Sequence, residues 1–263
     1  MSAADRRPRV GLLVSQQRAP NYQALRDVAA RAEELGADVL FNTDHFFPWS
    51  GDPTGAHFEC WSMLAAWAEQ TDRVELGALV TGAGYRNPDL LADMARTVDH
   101  ISGGRLILGL GAGWLERDYV EYRYEFGTAG SRIDLLAESL ARIKARLGRL
   151  NPPPVGKLPI LIGGGGERKM LRIVAEHADI WHSFSAVAQL RHKSAVLAEH
   201  CAAVGRDPAE IVRAASWSGP ELTDELVAAG AGLILCDTSA PDYDLTALGH
   251  ALAWRDRHAA LRV

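Results

Sequence analysis

Apolar runs of five to eight residues alternate along the chain with longer segments whose apolar positions recur every three or four residues. The runs are Arg9 to Ser15, Asp38 to Thr43, Val74 to Thr81, Arg105 to Gly111, Pro159 to Gly163, Asp179 to Phe184, Ile211 to Trp217 and Gly232 to Asp237. Each is continuously apolar rather than alternating, the pattern of a parallel strand buried on both faces. The segments between them carry one apolar face, as in Leu25, Val28, Ala29, Ala32 and Leu35, in Leu91, Met94, Ala95, Val98 and Ile101, or in Ile133, Leu136, Leu140, Ile143 and Leu147. Such a face belongs to a helix laid over a sheet. Punctuation agrees: Asn87 caps a helix opened by Pro88, Ser131 caps the one after it, and Gly36 and Gly103 stand where helices end.

Eight strand and helix pairs in 263 residues predict an α/β fold, a (β/α)8 TIM barrel. Pattern alone does not show closure, so an open doubly wound sheet is the alternative. The short stretch Asn151 to Pro154 joins a helix to a strand and divides nothing, so residues 1–263 read as a single domain.

Composition narrows the function more than the fold. A net charge of -5 leaves no surplus of Lys and Arg for nucleic acid. Cys60, Cys201 and Cys236 have no metal-ligand spacing, and no metal site is expected; they read as packed thiols of a reducing compartment. The apolar run Val10 to Val14 behind Arg6 and Arg7 is too short for a signal sequence, and nothing approaches the ~20 apolar residues of a membrane span. The expected protein is cytoplasmic and acts on a small molecule.

In a barrel, the loops after the strands build the active site. The second strand runs into Thr43, Asp44, His45, Phe46, Phe47, Pro48 and Trp49. Here a histidine suits proton transfer, with the adjacent carboxylate fixing its tautomer, or it is a half-buried residue satisfied by a backbone carbonyl. The third strand continues into Thr81, Gly82, Ala83 and Gly84, small residues that let a planar ligand approach the backbone or simply turn the chain toward Asn87. The fourth ends in Gly109, Leu110, Gly111, Ala112, Gly113 and Trp114. A dinucleotide fingerprint would need glycine at the last of these, so that reading fails. The fifth strand runs into Gly163, Gly164, Gly165 and Gly166 ahead of a helix expected near Glu167, which is either an anion site of open amides or a flexible turn. Arg168 and Lys169 stand where a P-loop needs glycine and lysine. Cys236, at the end of the eighth strand, is a nucleophile candidate without a histidine near it in sequence.

Taken in order, TDHFFPW at Thr43 to Trp49, TGAGYRNP at Thr81 to Pro88, DHISGGRLILGLGAGW at Asp99 to Trp114 and ILIGGGGE at Ile160 to Glu167 resemble the luciferase-like monooxygenase superfamily, in its branch of oxidoreductases that use the deazaflavin coenzyme F420. The resemblance implies a deazaflavin in the barrel mouth, backed by a bulge and a non-prolyl cis peptide between Leu79 and Val80. It implies that Gly163 to Gly166 hold the cofactor phosphate, that Gly111, Ala112 and Gly113 line its chain or ring, and that Asp44, Thr81 and Gly82 border it. By the same resemblance His45 is the acid or base, and Trp49 and Trp114 shape the substrate pocket. Related sugar-phosphate dehydrogenases carry glutamate where this chain has Trp114, which argues against a sugar-phosphate substrate. The insertion before the fifth strand is shortened to Leu150 to Pro159, so a reduced lid is implied. Hydride transfer to or from a small organic substrate is the leading expectation, in a homodimer. The alternatives are an FMN-dependent monooxygenase, a cofactor-binding barrel without turnover, and a cofactor-free isomerase or aldolase.

Overall fold

The computed structural model describes residues 7–184 and 186–260. Its strands are β1 (Arg9–Val14), β2 (Val39–Asn42), β3 (Glu75–Ala78), β4 (Thr81–Gly82), β5 (Leu106–Gly111), β6 (Ile160–Gly163), β7 (Ile180–His182), β8 (Val212–Ser216) and β9 (Ala231–Thr238). All pairings are parallel, β1 lies between β2 and β9, and β3 and β4 both pair with β5, which closes the ring. The fold is therefore a closed eight-position (β/α)8 barrel, and the open-sheet alternative is excluded. The expected third strand, Val74 to Thr81, is interrupted: the Leu79–Val80 peptide is cis, and β3 and β4 are the two halves on either side of it.

Strand alternation produces two cores from one sheet. Val39, Phe41, Ile107, Leu161, Ile180, Leu233 and Leu235 point into the barrel with Leu79. Their neighbours Leu40, Leu106, Leu108, Ile160, Ile162 and Ile234 point outward into the layer of helices. Those helices are α1 (Tyr22–Leu35), α2 (Cys60–Gln70), α3 (Pro88–Ile101), α4 (Glu116–Glu121), α5 (Ala129–Leu147), α6 (Met170–His177), α7 (Val187–Ala203), α8 (Pro220–Ala228) and α9 (Thr246–Ala260). In α1 the buried residues are Leu25, Val28, Ala29 and Ala32, and Gly36 ends the helix at φ 97°. Asn87 caps α3 by accepting from the amides of Asp89 and Leu90.

Two local expectations are corrected, and one helix was not foreseen. Thr128, not Ser131, caps α5; Ser131 sits at the third helical position and completes a reciprocal capping box. The sixth helix starts at Met170, after a turn at residues 167–169, because the glycine run makes its own turn before the helical pattern begins. α4, which follows β5 and the loop to Leu115, had no counterpart in the sequence reading, being too short to show an apolar period.

Candidate active site

The C-terminal ends of the strands open into a cleft of about 750 Å³. Of the cofactor, pocket and proton-transfer residues that the resemblance implies, all but Thr81 and Gly166 line it. Thr81 is fully buried and its hydroxyl accepts from the Trp61 indole at 3.0 Å, so it holds the strand in place beneath the cleft.

His45 leaves β2 through a fixed point. Gln16, at the exit of β1, accepts from both the amide (3.1 Å) and the hydroxyl (2.9 Å) of Thr43. The carboxylate next to His45 turns away from it: Asp44 is buried and pairs with Arg86 at 2.5 and 3.1 Å, and Arg86 also reaches Glu59 at 2.6 Å. Burial pushes the Asp44 carboxyl up, and Arg86 opposes that push. The expectation that the adjacent carboxylate orients the imidazole is thus corrected.

Asp118 on α4 takes that role. Its Oδ2 lies 2.6 Å from His45 Nδ1 and accepts from the Tyr85 hydroxyl at 2.9 Å, while its Oδ1 accepts from the Phe46 amide at 3.0 Å. Burial alone would raise its pKa, but the bond from His45 and the other donors outweigh burial and hold it below the ordinary carboxylate value. Burial first, and Asp118 second, push the Tyr85 hydroxyl far up, so it stays a donor. An ionised Asp118 makes Nδ1 the protonated nitrogen of the neutral ring. The other nitrogen, Nε2, is left for the cleft. The ring is flanked by Trp49, 5.0 Å between centroids, and by Trp114, 5.5 Å and edge-on.

The opposite wall is made of backbone. Val80 fills space that side chains at Gly111 and Gly163 would claim: a Cβ on Gly111 would stand 2.5 Å from Val80 Cγ2, and one on Gly163 3.0 Å from Cγ1. Gly113, at φ 77°, leaves room for the Tyr119 hydroxyl. The run Gly163 to Gly166 is not four open amides, since Gly164 N donates to the His182 carbonyl at 2.9 Å and its own carbonyl accepts from the Trp181 indole at 2.7 Å. The amides of Gly165 and Gly166 make no such bond among the described residues. Beside them Lys193, from α7, donates to the Gly165 carbonyl at 2.8 Å. Two open amides and an ammonium make an anion site, though the start of α6 lies a turn further on than expected.

Sequence reasoning missed Asp118, Arg132, His182 and Lys193, and it took Tyr85, within TGAGYRNP, only as part of the loop after the third strand. His182 ends a strand, so the strand-end rule alone would have found it; the others reach the cleft from helices or loops whose approach only the fold sets. Cys236 is buried, and burial followed by the neighbouring Asp237 pushes its thiol up to about 12, which leaves it an inert core group. Among the described residues no group of three or more His, Cys, Asp or Glu side chains could hold a metal, and no helix is long and apolar enough to cross a membrane.

The cleft at the mouth of this parallel barrel thus has a histidine held by a buried carboxylate on one wall and a glycine turn with two open amides on the other. The sequence profile of the luciferase-like monooxygenase family matches residues 7–218, and the chain belongs to that family. It is similar to the F420-dependent glucose-6-phosphate dehydrogenase of Amycolatopsis mediterranei, 35% identical over 124 residues, or 43% of this chain and 36% of that protein. It is also similar to the phthiodiolone/phenolphthiodiolone dimycocerosates ketoreductase of Mycobacterium tuberculosis, 35% identical over 184 residues, or 61% of this chain and 47% of that one. The chain thus spans about a third to a half of the length of these relatives. Its fold matches that of an F420-dependent secondary alcohol dehydrogenase in complex with an F420-acetone adduct, with a TM-score of 0.80 at 17% identity, covering 93% of this chain and 97% of that one.

Proposed function

We propose that the chain is an F420-dependent oxidoreductase that exchanges a hydride with a small organic substrate, and that His45 moves the accompanying proton. The observation that carries this reading is the pairing of His45 with the ionised Asp118 at 2.6 Å, on the wall facing the glycine turn. The residues present fit the cofactor: Leu79, Val80, Gly111 and Gly163 offer a flat wall, while Gly165, Gly166 and Lys193 offer the anion site. The F420-dependent dehydrogenase named above supports the choice of cofactor. When bound, a deazaflavin supplies or accepts the hydride.

The chain's own residues do the rest. Asp118 fixes the His45 tautomer so that Nε2 carries the exchangeable position toward the substrate oxygen. In the direction of alcohol oxidation Nε2 accepts the hydroxyl proton, and in the reverse direction it returns it. Trp49 and Trp114 cover the reacting centre and exclude water. The protein is taken to work as a cytoplasmic homodimer, a state that a light-scattering mass reads directly.

The test is a titration with F420 and FMN, following quenching of tryptophan fluorescence. F420 should saturate and FMN should bind more weakly. Lys193→Met should weaken F420 by roughly tenfold, the value of one charge-assisted hydrogen bond. His45→Ala should leave F420 binding unchanged while cutting turnover by about 10² to 10⁴. Preferential FMN binding would replace the reading with an FMN-dependent monooxygenase, and binding of neither would remove the redox assignment.

A further inference from the structure

The cleft carries a second imidazole, which the proton transfer does not use. β7 ends on His182, and alternation along the strand sends Ile180 into the barrel, Trp181 out to the helices and His182 inward again, at the mouth. His182 is buried and lines the cleft. Its ring lies edge-on to Phe184, 4.7 Å between centroids. Burial is what draws its pKa down, to about 4, so the ring is neutral at pH 7, with one nitrogen donating and the other accepting. Neither nitrogen is taken by another side chain among the described residues. A buried polar group ordinarily has a partner, and here the open side is the cleft.

The strand register fixes where along the cleft this donor and acceptor stand. His182 pairs with Gly163 across the ladder, and its carbonyl accepts from the Gly164 amide at 2.9 Å. Gly163 belongs to the flat wall, where Val80 fills the space a side chain would claim. One residue further on, Ser183 stands beside Gly165: a Cβ on that glycine would lie 3.4 Å from the Ser183 Cβ. Gly165 belongs to the anion site, with Lys193 bonded to its carbonyl. The path from Gly163 to Gly165 therefore leads from the flat wall to the anion site, and His182 stands beside it at the near end.

A deazaflavin nucleotide has the same order along its length: a flat ring, a polyol chain and a phosphate. The wall answers the ring, and the amides with Lys193 answer the phosphate. A hydroxyl of the chain donates and accepts at once, as a neutral imidazole does, whereas an anion would be met by an acceptor as well as a donor.

We infer that His182 is a cofactor-binding residue that holds a hydroxyl of the polyol chain between ring and phosphate. This rests on the proposed function for the identity of the cofactor. The choice of hydroxyl over ring or phosphate rests on the register of β7 against β6 and on the neutral, inward-facing imidazole.

The experiment follows tryptophan quenching with three ligands: F420, its deazaflavin ring carrying the ribityl chain without phosphate, and the same ring with a methyl group in place of the chain. His182→Leu should weaken F420 and the ribityl compound by roughly tenfold each, the value of one buried hydrogen bond. The methyl compound should stay within about twofold of its affinity for the parent, which also shows that the cleft has kept its shape. His182→Gln, whose amide donates and accepts, should recover most of the loss. Equal weakening of the methyl compound would mean that His182 contacts the ring or only supports the fold. Weakening confined to F420 would place His182 at the phosphate. Either result, or unchanged binding of all three ligands, would overturn the inference and leave the cofactor assignment standing. If the parent binds none of the three, the proposed function falls and the inference falls with it.

Discussion

Asp118 on one side of the cleft accepts three hydrogen bonds, whereas on the other side the chain achieves its shape by leaving side chains out. The histidine wall is specified by polar groups that must all be present together. The glycine wall is specified by positions where one added methyl would collide with a neighbour. Precision comes from satisfied donors in the first case and from close approach in the second, so the two walls should fail differently when altered.

The largest effect is expected on the glycine wall, and it should be sharply local. A Cβ on Gly109 would stand 1.8 Å from the Ala78 carbonyl oxygen, a backbone atom that cannot move without breaking the sheet. Gly109→Ala should cost more than about 3 kcal/mol. Gly166→Ala, whose Cβ would meet only Met170 Cβ at an ordinary 3.5 Å, should cost less than about 1 kcal/mol. Urea unfolding of both variants reads the difference; similar losses would mean that the wall yields, and that close approach is not what shapes it.

Asp118→Ala comes next. It strands the Phe46 amide, the Tyr85 hydroxyl and His45 Nδ1 at once, and should cost about 2 to 4 kcal/mol. The more telling readout is the imidazole: nitrogen NMR of His45 should show Nδ1 protonated in the parent and both tautomers in the variant. A single unchanged tautomer would show that Asp118 fills space without positioning the ring.

These two walls were unequally legible in the sequence. The glycines were visible as runs at strand ends, which read as a ligand site or as a turn until the motif resemblance favoured the first, and the barrel was visible because its strands are continuously apolar. The cis peptide between Leu79 and Val80 was placed by motif resemblance alone. Asp118 was invisible for a physical reason: it lies 73 residues from His45, on a helix of six residues that buries too little to leave a periodic trace. Asp44 drew the orienting role because adjacency in sequence is a poor guide after a strand, where successive side chains point to opposite sides. Lys193 was missed because its reach depends on how α7 packs against the β6 turn, which no local pattern records.

The smallest effect separates the walls by pH. His182, at the end of β7 on the glycine side, is 3% exposed, and burial pulls its pKa down to about 4. An unfolded histidine titrates near 6.5, so the native state resists taking up a proton there. The stability this contributes is fully present above about pH 6.5 and is lost as pH falls toward 4, by up to roughly 3 kcal/mol. Asp118 has the opposite placement: its folded pKa is depressed below 3.8, so its contribution persists above that value and is lost only as pH falls through the lower folded one. Between pH 6.5 and 4 the loss should therefore come from buried imidazoles, and below pH 4 from the carboxylate. His182→Asn should flatten the decline in unfolding free energy between pH 6.5 and 4, read by urea unfolding at several pH values. The flattening should be partial, because burial also draws His57 down to about 4 and that residue remains. An unchanged slope in the variant would mean that His182 takes up its proton without cost, and that the glycine side is as well solvated as the histidine side is satisfied.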